Sequence, residues 1–229
     1  MTGLSLSISD LEVQGQDGRR ILTVPRLEVP AGTALAVRGP SGAGKSTLLY
    51  AMAGIIAPVG GRIVWGDTEI TGLDDNGRAA FRRRSIGFIF QEHLLFEELS
   101  ARGNATITAL YAPRRQRRGI RDSAEGLLGR LGLGSSAARR SDTFSGGERQ
   151  RIAVVRALAG SAPVILADEP TASLDRPNAD ALADDLIRVA RDDGRTLVTV
   201  SHDPALHDRA DHVIDVVDGG VQIPEVLND

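Results

Sequence analysis

The chain has 229 residues, 41% apolar and 25% charged, with 27 basic against 30 acidic side chains for a net charge of −3. That suits one large domain, or one domain carrying an inserted lobe, and excludes disorder as the main state. The absence of cysteine excludes disulfides, thiol catalysis and cysteine metal sites, and the slight negative charge argues against a nucleic-acid protein held by bulk basic charge.

The N-terminal segment Met1-Thr2-Gly3-Leu4-Ser5 has no basic leader and no long apolar run, so no secretory signal is expected. No apolar stretch reaches the length of a membrane span. Leu4, Leu6 and Ile8 alternate with Ser5, Ser7 and Ser9, the period of a half-buried strand. Residues 21–24 and 27–29 continue the strand character after a turn at Gly15 to Gly18. Residues 33–37 form a short apolar strand, Lys45 to Ala53 a helix, and 62–65 and 86–90 further strands. From about 92 to 144 strand runs vanish and Ala, Leu and Arg recur at helical spacing, which predicts an inserted helical lobe. The remainder, with residues 1–91, predicts the core: a helix through Leu158, a strand at 164–168, a helix near 178–192, a strand at 196–200 and a last strand at 212–217. Such strand–helix alternation implies a parallel α/β sheet.

Gly39-Pro40-Ser41-Gly42-Ala43-Gly44-Lys45-Ser46 matches G-x-x-x-x-G-K-[ST] between a strand and a helix. Its glycines let backbone N–H groups surround phosphates, and the following helix adds its positive end. Lys45 is the single lysine among the 27 basic residues. It offers a compact mobile charge to β- and γ-phosphates, and the Ser46 hydroxyl is suited to Mg²⁺. Val164-Ile165-Leu166-Ala167-Asp168-Glu169 reads as a buried strand at the sheet centre, delivering two carboxylates beside that loop. Asp168 is the candidate Mg²⁺ ligand and Glu169 the candidate general base. Ser145-Gly146-Gly147-Glu148 opens another helix; read alone it is a well-capped start, and it also makes a second anion site.

Taken together, GPSGAGKST at 39–47, Gln91, SGGERQR at 145–151, ILADEPTASLD at 165–175 and His202 resemble an ATP-binding-cassette (ABC) ATPase over nearly the whole chain. The resemblance implies an α/β P-loop NTPase fold with a parallel-sheet core, an N-terminal antiparallel β part and an inserted helical subdomain. It implies ATP and Mg²⁺ as ligands and ATP hydrolysis, with Gly39 to Thr47 around the phosphates and Ser46, Gln91 and Asp168 toward the metal. It implies a head-to-tail homodimer in which Ser145, Gly146 and Gly147 of one copy reach the γ-phosphate held by the other. Gln91 would contact the attacking water and link to a membrane partner, Asp175 would pass signals across the dimer, and His202 would position Glu169 and the water. His93, His207 and His212 receive no role.

The chain departs from that pattern in one respect. Relatives place an aromatic residue upstream of the phosphate loop to stack on adenine, and here none precedes Tyr50. Apolar contact from Val13 is the expected replacement. Phe144 stands where Leu is usual. The motifs look most like the lipoprotein-release, macrolide-export and cell-division group, which implies a separate permease chain, a place on the cytoplasmic face of the cell membrane and no nucleic-acid partner. A soluble ATPase of a phosphonate-breakdown complex is the alternative. The cluster Arg114, Arg115, Arg117, Arg118 and Arg121 suits a solvated face, a lipid or acidic permease surface, or nucleic acid.

Overall fold

The computed structural model describes residues 3–222. The N-terminal alternation forms two antiparallel strands, β1 (Leu6–Gln14) and β2 (Arg20–Val29), in register from Leu6 opposite Val29 to Val13 opposite Leu22. Leu6 and Ile8, then Leu11 and Val13, all point into the core. The phase changes at Asp10, whose φ is +50°, beside an irregularity in the pairing of β1 with β4 (Gly60–Trp65). β5 (Thr68–Glu69) completes this antiparallel part. Trp65 is fully buried there and its indole N–H donates to the Met52 carbonyl at 2.8 Å.

The parallel part runs β9 (His212–Val217), β3 (Ala34–Arg38), β8 (Thr196–Val200), β7 (Val164–Asp168), β6 (Ile86–Ile89). Two expectations are corrected here. β9 is not the last strand: β10 (Gly220–Gln222) turns back antiparallel to β9 and pairs with β2, joining both parts into one 10-stranded sheet. β7 is not at the centre, because only β6 lies beyond it. All five of its residues are nonetheless buried, since helices cover both faces. Val164 and Leu166 join Leu48 and Leu49 of α1 (Lys45–Met52); Ile165 and Ala167 join Ile152 and Val155 of α6 (Gly146–Leu158).

Between β6 and β7 lie α3 (Ala101–Thr106), α4 (Thr108–Tyr111) and α5 (Arg114–Arg130), with no sheet strand among them. Ile120, Ala124, Leu127 and Leu128 give α5 one apolar face, which packs into the cluster containing α6. Two helices escaped the sequence reading, α2 (Asp75–Ser85) and α8 (Pro204–Arg209). α2 is poor in apolar residues, α8 is only six residues long, and both are started by a cap. The Asp74 carboxylate accepts from Gly77 N–H at 2.7 Å, and Asp203 accepts from Ala205 N–H at 3.0 Å. α7 (Arg176–Arg191) starts two residues earlier than expected for the same reason, with Asp175 as its cap. Among the described residues no helix is long and apolar enough to cross a membrane.

Candidate functional site

The segment after β3 turns sharply because glycine permits it. Gly39 has φ +146°, and a Cβ there would lie 2.1 Å from the Val216 carbonyl oxygen; Gly44 has φ +103° as it enters α1. The loop closes over its own lysine. Lys45 Nζ donates to the carbonyls of Gly39 and Pro40 at 2.8 and 2.9 Å and stands 3.3 Å from His202 Nε2. An ammonium held only by neutral partners is ready to exchange them for anionic oxygens.

Asp168 and Glu169 stand at the end of β7. Asp168 is almost wholly buried, and neither of its carboxylate oxygens has a well-formed hydrogen bond. Burial raises its pKa, while the nearby Ser46 hydroxyl and Lys45 ammonium pull it back. A buried carboxylate with free lone pairs beside a hydroxyl is a donor set that suits a hard divalent cation. Glu169 has φ +46°, a region costing a side-chain-bearing residue about 1–3 kcal/mol, and its N–H donates to the Val200 carbonyl at 2.8 Å. That turn aims its carboxylate at the start of the next loop, where Oε2 accepts from His202 N–H at 3.3 Å and from the Ser201 hydroxyl at 3.4 Å. His202 Nε2 is 3.5 Å from the other oxygen.

Because β6, β7 and β8 are parallel, their C-terminal ends share one sheet edge. Gln91, Asp168, Glu169 and His202 thereby meet Ser41, Gly42, Lys45 and Ser46 around one cavity of about 580 Å³. Thr171, Arg176 and Asp203, which the sequence reading passed over, also line it. Pro40 and Ala43 instead face a second cavity on the other side of the loop. Val13 does not fill the expected place: it is buried in the core, on the inward face it shares with Leu11, and Ile21 is the apolar residue exposed near the loop. The L-x-V alternation from Leu11 to Val13 was the signal that Val13 faces inward.

Ser145, Gly146 and Gly147 do not line the cavity around Lys45. Ser145 caps α6 in a capping box: its hydroxyl accepts from Glu148 N–H at 3.3 Å, and the Glu148 carboxylate accepts from Ser145 N–H at 2.8 Å. Those bonds hold the Glu148 carboxyl below its usual range. Asp175 also lies off the cavity and caps α7, accepting from Asn178 N–H at 3.0 Å. A further link comes from Arg156 on α6. Its guanidinium donates to the His93 and Leu94 carbonyls at 2.7 and 2.5 Å, just after Gln91, where both residues have positive φ. Its only sequence signal is an arginine within an apolar helical run.

The family model described as ABC transporter matches residues 22–172. The chain belongs to that family. It is an ATP-binding, ATP-hydrolysing subunit of an ABC transporter that drives a membrane permease. It is 39% identical over 206 residues to the lipoprotein-releasing system ATP-binding protein LolD of Paramagnetospirillum magneticum, covering 90% of this chain and 91% of that protein. It is 42% identical over 198 residues to the macrolide export ATP-binding/permease protein MacB of Rhodopseudomonas palustris, covering 85% of this chain but only 30% of that longer protein. Among solved structures, the dimeric bacterial ABC transporter cassette MJ0796 superposes with a TM-score of 0.84 at 29% identity, covering 95% of this chain and 96% of that one.

Proposed function

We propose that this ATPase works on MgATP in a sandwich of two copies and drives a separate permease of the lipoprotein-release or macrolide-export kind, on the cytoplasmic face of the membrane. The observation that carries the reading is the half-built site. One chain gathers Lys45, Ser46, Gln91, Asp168, Glu169 and His202 around a single cavity and leaves Ser145, Gly146 and Gly147 outside it. A helix start with two bare glycines is a good anion site and has no phosphate of its own to hold. A second copy placed head-to-tail supplies one.

In this scheme the N–H groups of Gly39 to Thr47 and the Lys45 ammonium hold the phosphates. Ser46, Asp168 and Gln91 would hold Mg²⁺, which neutralises charge on the β- and γ-oxygens when bound. Water attacks the γ-phosphorus as the bond to the bridging oxygen breaks, and Glu169 accepts the proton that the water loses. His202 keeps the Glu169 carboxylate aimed. Asp175 borders the interface between copies. The test is Glu169→Gln: with MgATP it forms a stable dimer by light scattering, and Lys45→Ala does not. A Glu169→Gln chain that stays monomeric at saturating MgATP overturns the scheme.

The permease surface is read from charge. A groove of about 780 Å³ between α2–β6 and α4–α5 is lined by Arg83, Arg84, Arg115 and Arg156, with no carboxylate among the described lining residues. None of those four arginines is in an ion pair among the described residues. Tyr111 stands two-thirds exposed at its wall. Such a groove suits an acidic cytoplasmic segment of the membrane subunit with an apolar anchor, and Arg156 ties it to both Gln91's loop and the Ser145 helix. Arg83→Glu with Arg84→Glu releases a co-produced membrane subunit while the isolated chain keeps its ATPase rate. A soluble lyase complex co-purifying in its place would favour the phosphonate-type alternative.

A further inference from the structure

The helix α5 opens against its own dipole. Residues 110–121 hold Arg114, Arg115, Arg117, Arg118 and Arg121 and no acid. The first four of these stand in the opening turns of α5, whose first turn carries no acidic residue and whose Pro113 makes no side-chain cap. Cations there meet the positive end of the helix, so the arrangement weakens the helix it stands on. A surface arrangement that costs stability calls for a use outside the fold.

One of the five arginines is structural. The Arg117 guanidinium donates to the Ala112 carbonyl at 3.0 Å and to the Leu110 carbonyl at 3.2 Å, which pins the corner between α4 and α5. The other four are exposed. Among the described residues Arg114, Arg115 and Arg121 make no ion pair, and Arg118 has only an exposed one to Asp122 at 3.7 Å. Arg114, Arg118 and Arg121 are spaced to share one side of the helix, away from the core face of Ile120, Ala124, Leu127 and Leu128. None of these three lines the groove that holds Arg83, Arg84 and Arg115, so they form a separate outward stripe. At its head the pinned corner leaves Leu110 60% and Tyr111 68% exposed.

We propose that this stripe and corner make a peripheral contact with a bilayer surface rich in anionic lipid, beside the membrane subunit. A row of unpaired guanidinium groups is attracted by the negative surface potential of such a leaflet and donates to its phosphate oxygens. Leu110 and the amphipathic ring of Tyr111 enter the headgroup layer, where a nucleic-acid backbone would offer them nothing apolar. The stripe lies outside the groove assigned to the membrane subunit, so the lipid next to that subunit is what it meets. The chain as a whole carries −3, so a basic face fixes the orientation in which it approaches the membrane. The inference rests on the membrane-face position proposed above and adds a direct lipid contact to it.

The test is co-sedimentation of the full-length chain with vesicles free of any membrane subunit, made of phosphatidylcholine alone or with about a third phosphatidylglycerol. Binding is expected to the anionic vesicles only, and to fall as salt rises. Arg114→Glu with Arg118→Glu and Arg121→Glu is expected to weaken it by at least about tenfold. The charge-matched set Arg19→Glu, Arg20→Glu and Arg26→Glu, at and within β2, is expected to change it by less than about threefold. Leu110→Ser is expected to weaken binding while keeping its salt dependence. The Tm of the stripe variant stays at or above that of the parent, because glutamates suit the start of a helix, so lost binding is not lost folding. Equal loss in both charge-reversed sets overturns the proposal. So does equal binding to both kinds of vesicle, or displacement from the anionic vesicles by a duplex oligonucleotide at matched phosphate concentration. A parent chain that does not bind anionic vesicles overturns it as well. If the stripe variant then still releases a co-produced membrane subunit, the arginines face protein, and the transporter reading stands while the lipid contact falls.

Discussion

His202 meets Glu169 from both its main chain and its ring: its N–H donates to one carboxylate oxygen at 3.3 Å, and its Nε2 stands 3.5 Å from the other. Glu169 is thus aimed by a residue of the neighbouring strand's loop, and the same imidazole nitrogen is 3.3 Å from Lys45 Nζ. The proposed base Glu169, its proposed positioning group His202 and the phosphate-loop lysine Lys45 form one chain of contacts. Glu169→Gln is therefore expected to lower kcat by about 10²–10⁴-fold, the usual worth of a general base, with nucleotide Kd little changed. His202→Ala is expected to lower kcat as well, because the carboxylate loses its aim. Single-turnover hydrolysis with equilibrium binding checks both, and a His202→Ala enzyme with full kcat refutes the positioning role.

Asp168, the proposed Mg²⁺ ligand, is buried at a cost in stability. Burial raises its pKa, so the folded chain binds this proton more readily than the unfolded chain. Stability is lost as pH rises from the ordinary carboxylate range through the raised value, and stays lower above it. Asp168→Asn is expected to raise the Tm of the nucleotide-free chain at pH 7 while abolishing Mg²⁺-dependent hydrolysis. Differential scanning calorimetry with a phosphate-release assay reads both.

Arg156 holds the backbone after Gln91 to the helix that begins at Ser145, through two charged hydrogen bonds to carbonyls. A hydrogen bond to a charged group contributes about 1.5–3 kcal/mol, so Arg156→Ala is expected to destabilise the chain by a few kcal/mol in urea unfolding. Arg156→Lys recovers only part, since an ammonium lacks the planar fork. Amide exchange should quicken at residues 93–96 in both variants.

His93 predicts an acid-side loss of stability. Burial first, then the charges of Arg149 and Arg156, hold its imidazole below the ordinary value against an opposing pull from Gln150, and its buried Nε2 has no well-formed hydrogen bond. The unfolded chain protonates near pH 6.5 while the folded chain resists. Stability is then constant above that pH and falls as pH drops through 6.5 toward the folded value. His93→Gln should flatten the urea midpoint between pH 8 and 5 relative to the parent chain.

Much of this protein was legible in its sequence because the chemistry is contiguous. A phosphate loop needs its glycines, Lys45 and Ser46 side by side on one turn, and the capping box from Ser145 to Glu148 spans one helical turn. A buried strand announces itself as Val164 to Ala167 followed by two acids. Only tertiary structure decided the rest. Parallel pairing of β6, β7 and β8 brings Gln91, Asp168 and His202, far apart in the chain, to one sheet edge. The phase of β1 buries Val13 and leaves Ile21 of β2 beside the loop, where the resemblance to the family had pointed to Val13. Arg156 gains its place from the packing of α6 against the loop after β6. Local motifs depend on bonds between near neighbours, whereas these positions depend on which strand lies beside which, and that is set by burial of the whole sheet at once.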